Sequence, residues 1–159
     1  MSVDGGVIDE DHKILISYIN DFLSMSDLYN NCSEDFRSCD KSSHLPCGQE
    51  LSCYKKNSKI LASLKFYTTS HFKREEELQK EIGFPVQAGT HESLIEELNN
   101  MIKILETSDA SSEDFLDILN GMGNFFNGWL IDHIIKEDLK MRPYFNIKHA
   151  KSTRYLALD

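Results

Sequence analysis

His71 and Glu75, in the stretch HFKREEE, stand four residues apart, about 40° around a helix axis, so on a helix both side chains point at one spot. His133 and Asp138, in WLIDHIIKED, stand five apart, about 140° around an ideal axis, so they share a site only if it lies between their directions. His12 and His91 fall on the apolar stripes of two further segments. Imidazole nitrogens and carboxylate oxygens contributed by four helices would form a ring of metal donors at bundle depth. Each residue also has a plainer reading. A lone inward histidine is often a neutral core residue bonded to a neighbour. Glu75 fits the surface run REEE, and Asp138 fits an exposed partner of Lys136 or Arg142. Six such donors in phase with four apolar stripes favour a common interior site, because unpaired charge there is costly.

The elements that must position these residues are helical. The first carries Ile8, His12, Leu15, Ile19 and Phe22 at spacings of three and four, with Asp4 or Asp9 as a start signal. A second is expected from about Ser58 to Ile82, with Ile60, Leu64, Tyr67, His71, Glu75 and Leu78 inward, ended by GFP at 83–85. The third includes His91, Leu94, Ile95, Leu98, Met101 and Leu105, and stops in TSDASSED. A fourth, from about Ser112 to Tyr144, presents Phe115, Leu119, Met122, Phe126, Trp129, His133 and Ile134. Its Gly121, Gly123 and Gly128 each weaken it by roughly 1 kcal/mol relative to Ala, so packing has to hold it. Four amphipathic helices with mostly short connections predict an all-α fold, an antiparallel up-down four-helix bundle over 1–145. Residues 26–56, rich in Ser, Asn, Asp and Cys, read as a long inserted connection. The tail, 146–159, reads as a last helix or a linker.

With 159 residues the chain fits one domain and a real hydrophobic core. A net charge of -9 repels a phosphate backbone, so nucleic acid is not an expected partner. No apolar run approaches the roughly 18 residues of a membrane span, and the N-terminus lacks the pattern of an export signal, so a cytoplasmic protein is expected. Cys32, Cys39, Cys47 and Cys53 lack the tight pairs of a structural zinc site. Reduced surface thiols, redox-active disulfides and a second metal site all remain open for them.

IDEDHKILISYIN around His12, HFKREEEL from His71 and WLIDHIIKED with its H-x-x-x-x-D together resemble the hemerythrin and bacteriohemerythrin domains over residues 7–145, apart from the insertion. That resemblance implies two oxo- or hydroxo-bridged irons. His12 and His71 would be terminal ligands on one, His91 and His133 on the other, with Glu75 and Asp138 bridging. It also implies oxygen, or a small anion, as exogenous ligand, in a dry pocket near Trp129, Leu130 and Ile134.

One feature departs from the resemblance. Such domains carry H-x-x-x-H on the third helix, and this chain has one histidine there. Counting from His71 puts Ile95 in the empty slot, the smaller length change; matching HESL puts Gln87 there instead. Isoleucine has no donor and a Gln amide oxygen is a weak one, so the second iron should be an imidazole short, with water, an anion or Glu92 as substitutes. A vacancy on each iron implies faster autoxidation than in an oxygen carrier. The expected function is the oxygen- or redox-responsive sensory domain of a bacterial signalling protein, such as a diguanylate cyclase or chemotaxis receptor, with any catalysis in a fused output domain. A stand-alone oxygen carrier, or an iron or peroxide oxidase, is the alternative.

Overall fold

The structure, a computed structural model, describes residues 2–37, 48–109 and 114–145, with side chains 29–37, 48–54, 130 and 131 outside that description. Helices α1 (Val7–Arg37), α2 (Gly48–Ile82), α3 (Ala88–Thr107) and α4 (Phe115–Leu130) follow in order. α1 packs on α2 and α4, and α3 on α2 and α4, which closes the ring of a four-helix bundle. The connection expected over 26–56 is narrower than its composition suggested. α1 runs on to Arg37 and α2 already begins at Gly48, so only 38–47 separate them, outside the described residues. Cys39 and Cys47 lie in that interval, the side chains of Cys32 and Cys53 are also outside the description, and so is the tail from 146 onward.

Local chemistry explains where these helices start and stop. The Asp4 carboxylate accepts the backbone N–H groups of Gly6, Ile8 and Asp9, donors that the first turn of α1 would leave free. Asp9 in turn accepts from Ser2 and from the Val3 and Gly5 N–H groups, folding the first residues over the helix start. α2 ends on Gly83 at φ +74, with Phe84 N–H on the Gln79 carbonyl at 2.9 Å and Gly83 N–H on that of Lys80. This is the glycine stop that GFP announced, and Pro85 prevents any continuation.

The expected fourth helix is regular only as far as Leu130. It continues as a π-helical segment, Ile131–Glu137, and a 3-10 turn, Asp138–Met141. The wider π turn bonds residue i to i+5, so it brings residues five apart back to nearly one face. This narrows the 140° separation that an ideal helix would impose on His133 and Asp138, which stands directly after the π segment.

The inward stripes form two apolar clusters. The larger contains Leu15, Ile19, Phe22, Leu61, Leu64, Phe72, Leu98, Leu105, Phe115, Leu119, Met122, Phe126 and Trp129. The smaller joins Val3, Ile8 and Met141, with Leu78, Ile82 and Phe84 packed against it. On α1 the order is Ile8, His12, Leu15, and on the last helix Trp129, His133, Asp138, Met141, so a polar layer is held between two greasy ones. Fully burying each large apolar side chain in those layers contributes roughly 1.5–3 kcal/mol. Their closure is what keeps the polar layer in place.

Candidate metal centre

His12, His71, Glu75, His91, His133 and Asp138 are all buried, the carboxylates at 0% exposure, and they meet in that layer. His12 Nε2 lies 3.0 Å from Asp138 Oδ2, and His133 Nε2 3.4 Å from Asp138 Oδ1. Glu75 Oε2 stands 3.6 Å from His71 Nε2, 3.6 Å from His91 Nε2 and 3.5 Å from His133 Nε2. The imidazoles form two pairs, His12 with His71 at 5.0 Å between ring centres and His91 with His133 at 5.2 Å. His71, Glu75, His133 and Asp138 offer atoms that all lie within 4.8 Å of one another. His12 and His91 fall outside that inner group, so the donor set is elongated rather than gathered round one point.

The outer face of two imidazoles is occupied. His71 Nδ1 lies 3.3 Å from the carboxylate of Asp11, which also accepts from Arg74 Nε at 2.8 Å and Tyr67 O–H at 2.7 Å. His91 Nδ1 lies 2.9 Å from Glu76. A carboxylate on Nδ1 selects the tautomer with the proton there and leaves the Nε2 lone pair facing inward, as second carboxylates do around metal sites. Phe72 stacks on His91 at 4.0 Å and Trp129 lies nearly parallel to His133, so aromatic faces hold the two rings. Trp129 is buried and Ile134 half-buried, while Leu130 is among the side chains outside the description.

The inner atoms face one another, with His12 Nε2 3.0 Å from Asp138 Oδ2, and no other group among the described residues. Nε2 of His12, His71, His91 and His133, Oε2 of Glu75 and both Asp138 oxygens are buried without a hydrogen bond. An orphaned buried polar group costs roughly 1–3 kcal/mol, so this many, converging in one layer, is a large uncompensated cost unless a cation takes their lone pairs. The donor set suits that role: neutral nitrogens with carboxylate oxygens match iron, zinc or manganese. Burial drives His71 down to about 4, and lowers His12 and His91 too, which keeps their lone pairs free at neutral pH. Burial pushes Asp138 up to about 8, against the pull of His133. Burial opposes ionisation of Glu75 as well, but His133 and the other imidazoles outweigh it and hold it below the usual carboxylate range.

The two residues weighed for the missing imidazole sit in different surroundings. Ile95 packs against the larger apolar cluster and lines a cleft of about 390 Å³ between α2 and α3, with Glu92 on the same rim. Gln87 is tied to the polar layer: its backbone N–H donates to Gln79 Oε1 at 2.9 Å, and Gln79 Nε2 donates to Glu75 Oε1 at 2.9 Å. A second cavity, about 380 Å³, reaches His133 and Trp129 between α3 and the π segment.

Asp11, Glu76 and Gln79 were not singled out from the sequence. Asp11 stands three after Ile8 and four before Leu15, and Gln79 four after Glu75, so both polar residues lie on inward stripes. That spacing was the available signal.

An all-helical bundle with a layer of histidines and carboxylates at its core defines a cation-binding helical protein. The profile of the Hemerythrin HHE cation binding domain matches residues 6–145, and the chain belongs to that family. No curated protein matches the chain.

Proposed function

We propose that this chain is a dinuclear non-haem iron domain that responds to oxygen or to its own redox state, and that it is the sensory part of a signalling protein such as a diguanylate cyclase or chemotaxis receptor. The observation that carries the dinuclear reading is the elongated donor set, two imidazole pairs with Glu75 and Asp138 between them. A bound iron pair would supply electrons and open coordination positions. The chain supplies the rest: Asp11 and Glu76 aim His71 and His91, Phe72 and Trp129 hold the rings of His91 and His133, and Asp138 holds a proton until a cation displaces it.

The sensory reading draws support from the single imidazole on α3 and from the cavity that reaches His133 there. A side of the centre that is short of a strong donor and open to small molecules favours reaction over unreacted release of oxygen. The test is to add ferrous iron to the metal-free chain without oxygen, count the metal, then admit air. The expected result is two irons per chain and one oxidation that degassing does not reverse, with altered amide exchange over residues 131–145. Full recovery on degassing would favour a carrier, and sustained consumption of peroxide or ferrous iron an oxidase; either result overturns the sensory reading.

A further inference from the structure

The contacts between α1 and α2 climb the two helices in steps of seven residues. Asp11 meets Arg74, its carboxylate 2.8 Å from Nε, and Tyr18 meets Tyr67 with 6.1 Å between ring centres. From the first rung to the second, α1 advances seven positions while α2 retreats seven, the repeat of antiparallel helices that supercoil around each other. The same step leads to Met25 and Ile60, both partly buried against the larger apolar cluster. An ion pair and an aromatic pair are thus followed by two apolar positions on one seam. One step further, α1 carries Cys32 and α2 carries Cys53, each within the bounds of its helix, Val7–Arg37 and Gly48–Ile82. Of the four cysteines in the chain, two occupy the pair of positions that this ladder sets opposite each other.

We propose that Cys32 and Cys53 are a redox modification site, a reversible disulfide between α1 and α2 that is made and broken by exchange with a small disulfide and its thiol. One cysteine, as thiolate, attacks a sulfur of the small disulfide and releases one small thiol. The other, as thiolate, attacks the cysteine sulfur of that mixed disulfide and releases the second. The cysteine pair loses two electrons and two protons, and the small disulfide takes them up as two thiols. Register decides whether the second attack can occur. A disulfide joins Cα atoms about 4.4–6.8 Å apart, and a slip of one residue would turn a helical position about 100° away from the seam. A straight helix would also drift about 20° at each step of seven, and the supercoil of bundle helices removes that drift, so the fourth rung stays on the seam with the first. From His12 to Cys32 is twenty residues of α1, about 30 Å at 1.5 Å per residue. The pair is therefore remote from the polar layer, and the proposal stands whatever that layer binds.

The test uses the full chain, equilibrated under nitrogen with mixtures of reduced and oxidised glutathione. Free thiols are then capped with iodoacetamide, and proteolytic peptides are weighed without reduction. As the oxidised share rises, a linked pair of peptides holding Cys32 and Cys53 should appear, about 2 Da lighter than the two reduced peptides together. Dithiothreitol added before capping should return it to two separate capped peptides. In Cys32→Ser, Cys53 has no partner to displace glutathione and should accumulate the mixed disulfide that the parent chain resolves; Cys53→Ser should leave Cys32 in the same state. Both thiols still capped at the most oxidising ratio would overturn the proposal. So would Cys32 or Cys53 joined to Cys39 or Cys47, or a link to a second chain in place of one within the chain.

Discussion

Asp11 touches no inner atom of the polar layer, yet it governs how His71 faces that layer. Its carboxylate gathers Arg74, Tyr67 and the outer nitrogen of His71, and these donors outweigh the burial that would otherwise raise it. Asp11→Asn keeps the shape and removes the charge, so the imidazole loses the acceptor that fixes its tautomer. Metal affinity should fall about 10- to 100-fold in a chelator competition. Tyr67, which burial and the Asp11 hydrogen bond push up to about 12, should titrate lower, toward its ordinary 10.0. An unmoved tyrosine titration, read by ultraviolet absorbance, would show that Asp11 carries no such influence. The six residues that meet in the polar layer were legible in the sequence because each lies on or beside an apolar stripe and is of a metal-binding type. Asp11, Glu76 and Gln79 were less legible, since a second carboxylate or an amide acquires its role only from the three-dimensional neighbours it meets.

At the scale of elements, two glycines of α4 that look alike in sequence are separated by their surroundings. An added Cβ at Gly121 meets nothing within 4 Å, whereas at Gly123 it would stand 2.8 Å from Leu23 Cδ2 on α1. Gly121→Ala should therefore stabilise the protein by up to about 1 kcal/mol through helix propensity. Gly123→Ala gains the same propensity but forces the end of the half-buried Leu23 side chain to give way, which offsets part of that gain. Urea midpoints should rank Gly121→Ala above the parent and Gly123→Ala below Gly121→Ala; equal midpoints would mean that α1 and α4 do not approach closely there. The apolar period gave the existence and order of the four helices, because it reports burial. For the same reason it missed the extension of α1 and α2 into 26–56, where a backbone can remain helical without an apolar stripe. The π segment escaped it as well, since five-residue spacing carries no such meaning in a regular helix.

For the whole molecule, the polar layer between two apolar clusters makes the stability of the metal-free protein depend on pH from both sides. His12, His71 and His91 have folded values below the unfolded 6.5, His71 reaching about 4, because burial disfavours their charged forms. Below 6.5, and for His71 down to about pH 4, these imidazoles take up protons in the unfolded chain before the folded one, so their contribution to stability is lost as pH falls through that window. Asp138 works in the opposite sense: its folded value of about 8 lies above the unfolded 3.8, so the folded chain binds the extra proton and stability is lost as pH rises toward 8. Each fully titrating group contributes a slope of about 1.4 kcal/mol per pH unit. Three lowered histidines outweigh one raised aspartate below 6.5, and above it the aspartate acts against the fold unopposed by them. Urea midpoints of the chelator-treated protein should therefore peak near neutrality and fall at about pH 5 and again at about pH 8. Added metal should remove the alkaline decline, since a cation replaces the proton that Asp138 otherwise holds. Midpoints that keep rising to about pH 8 without metal would show that Asp138 is ionised in the fold, and that the layer meets its buried charge in another way.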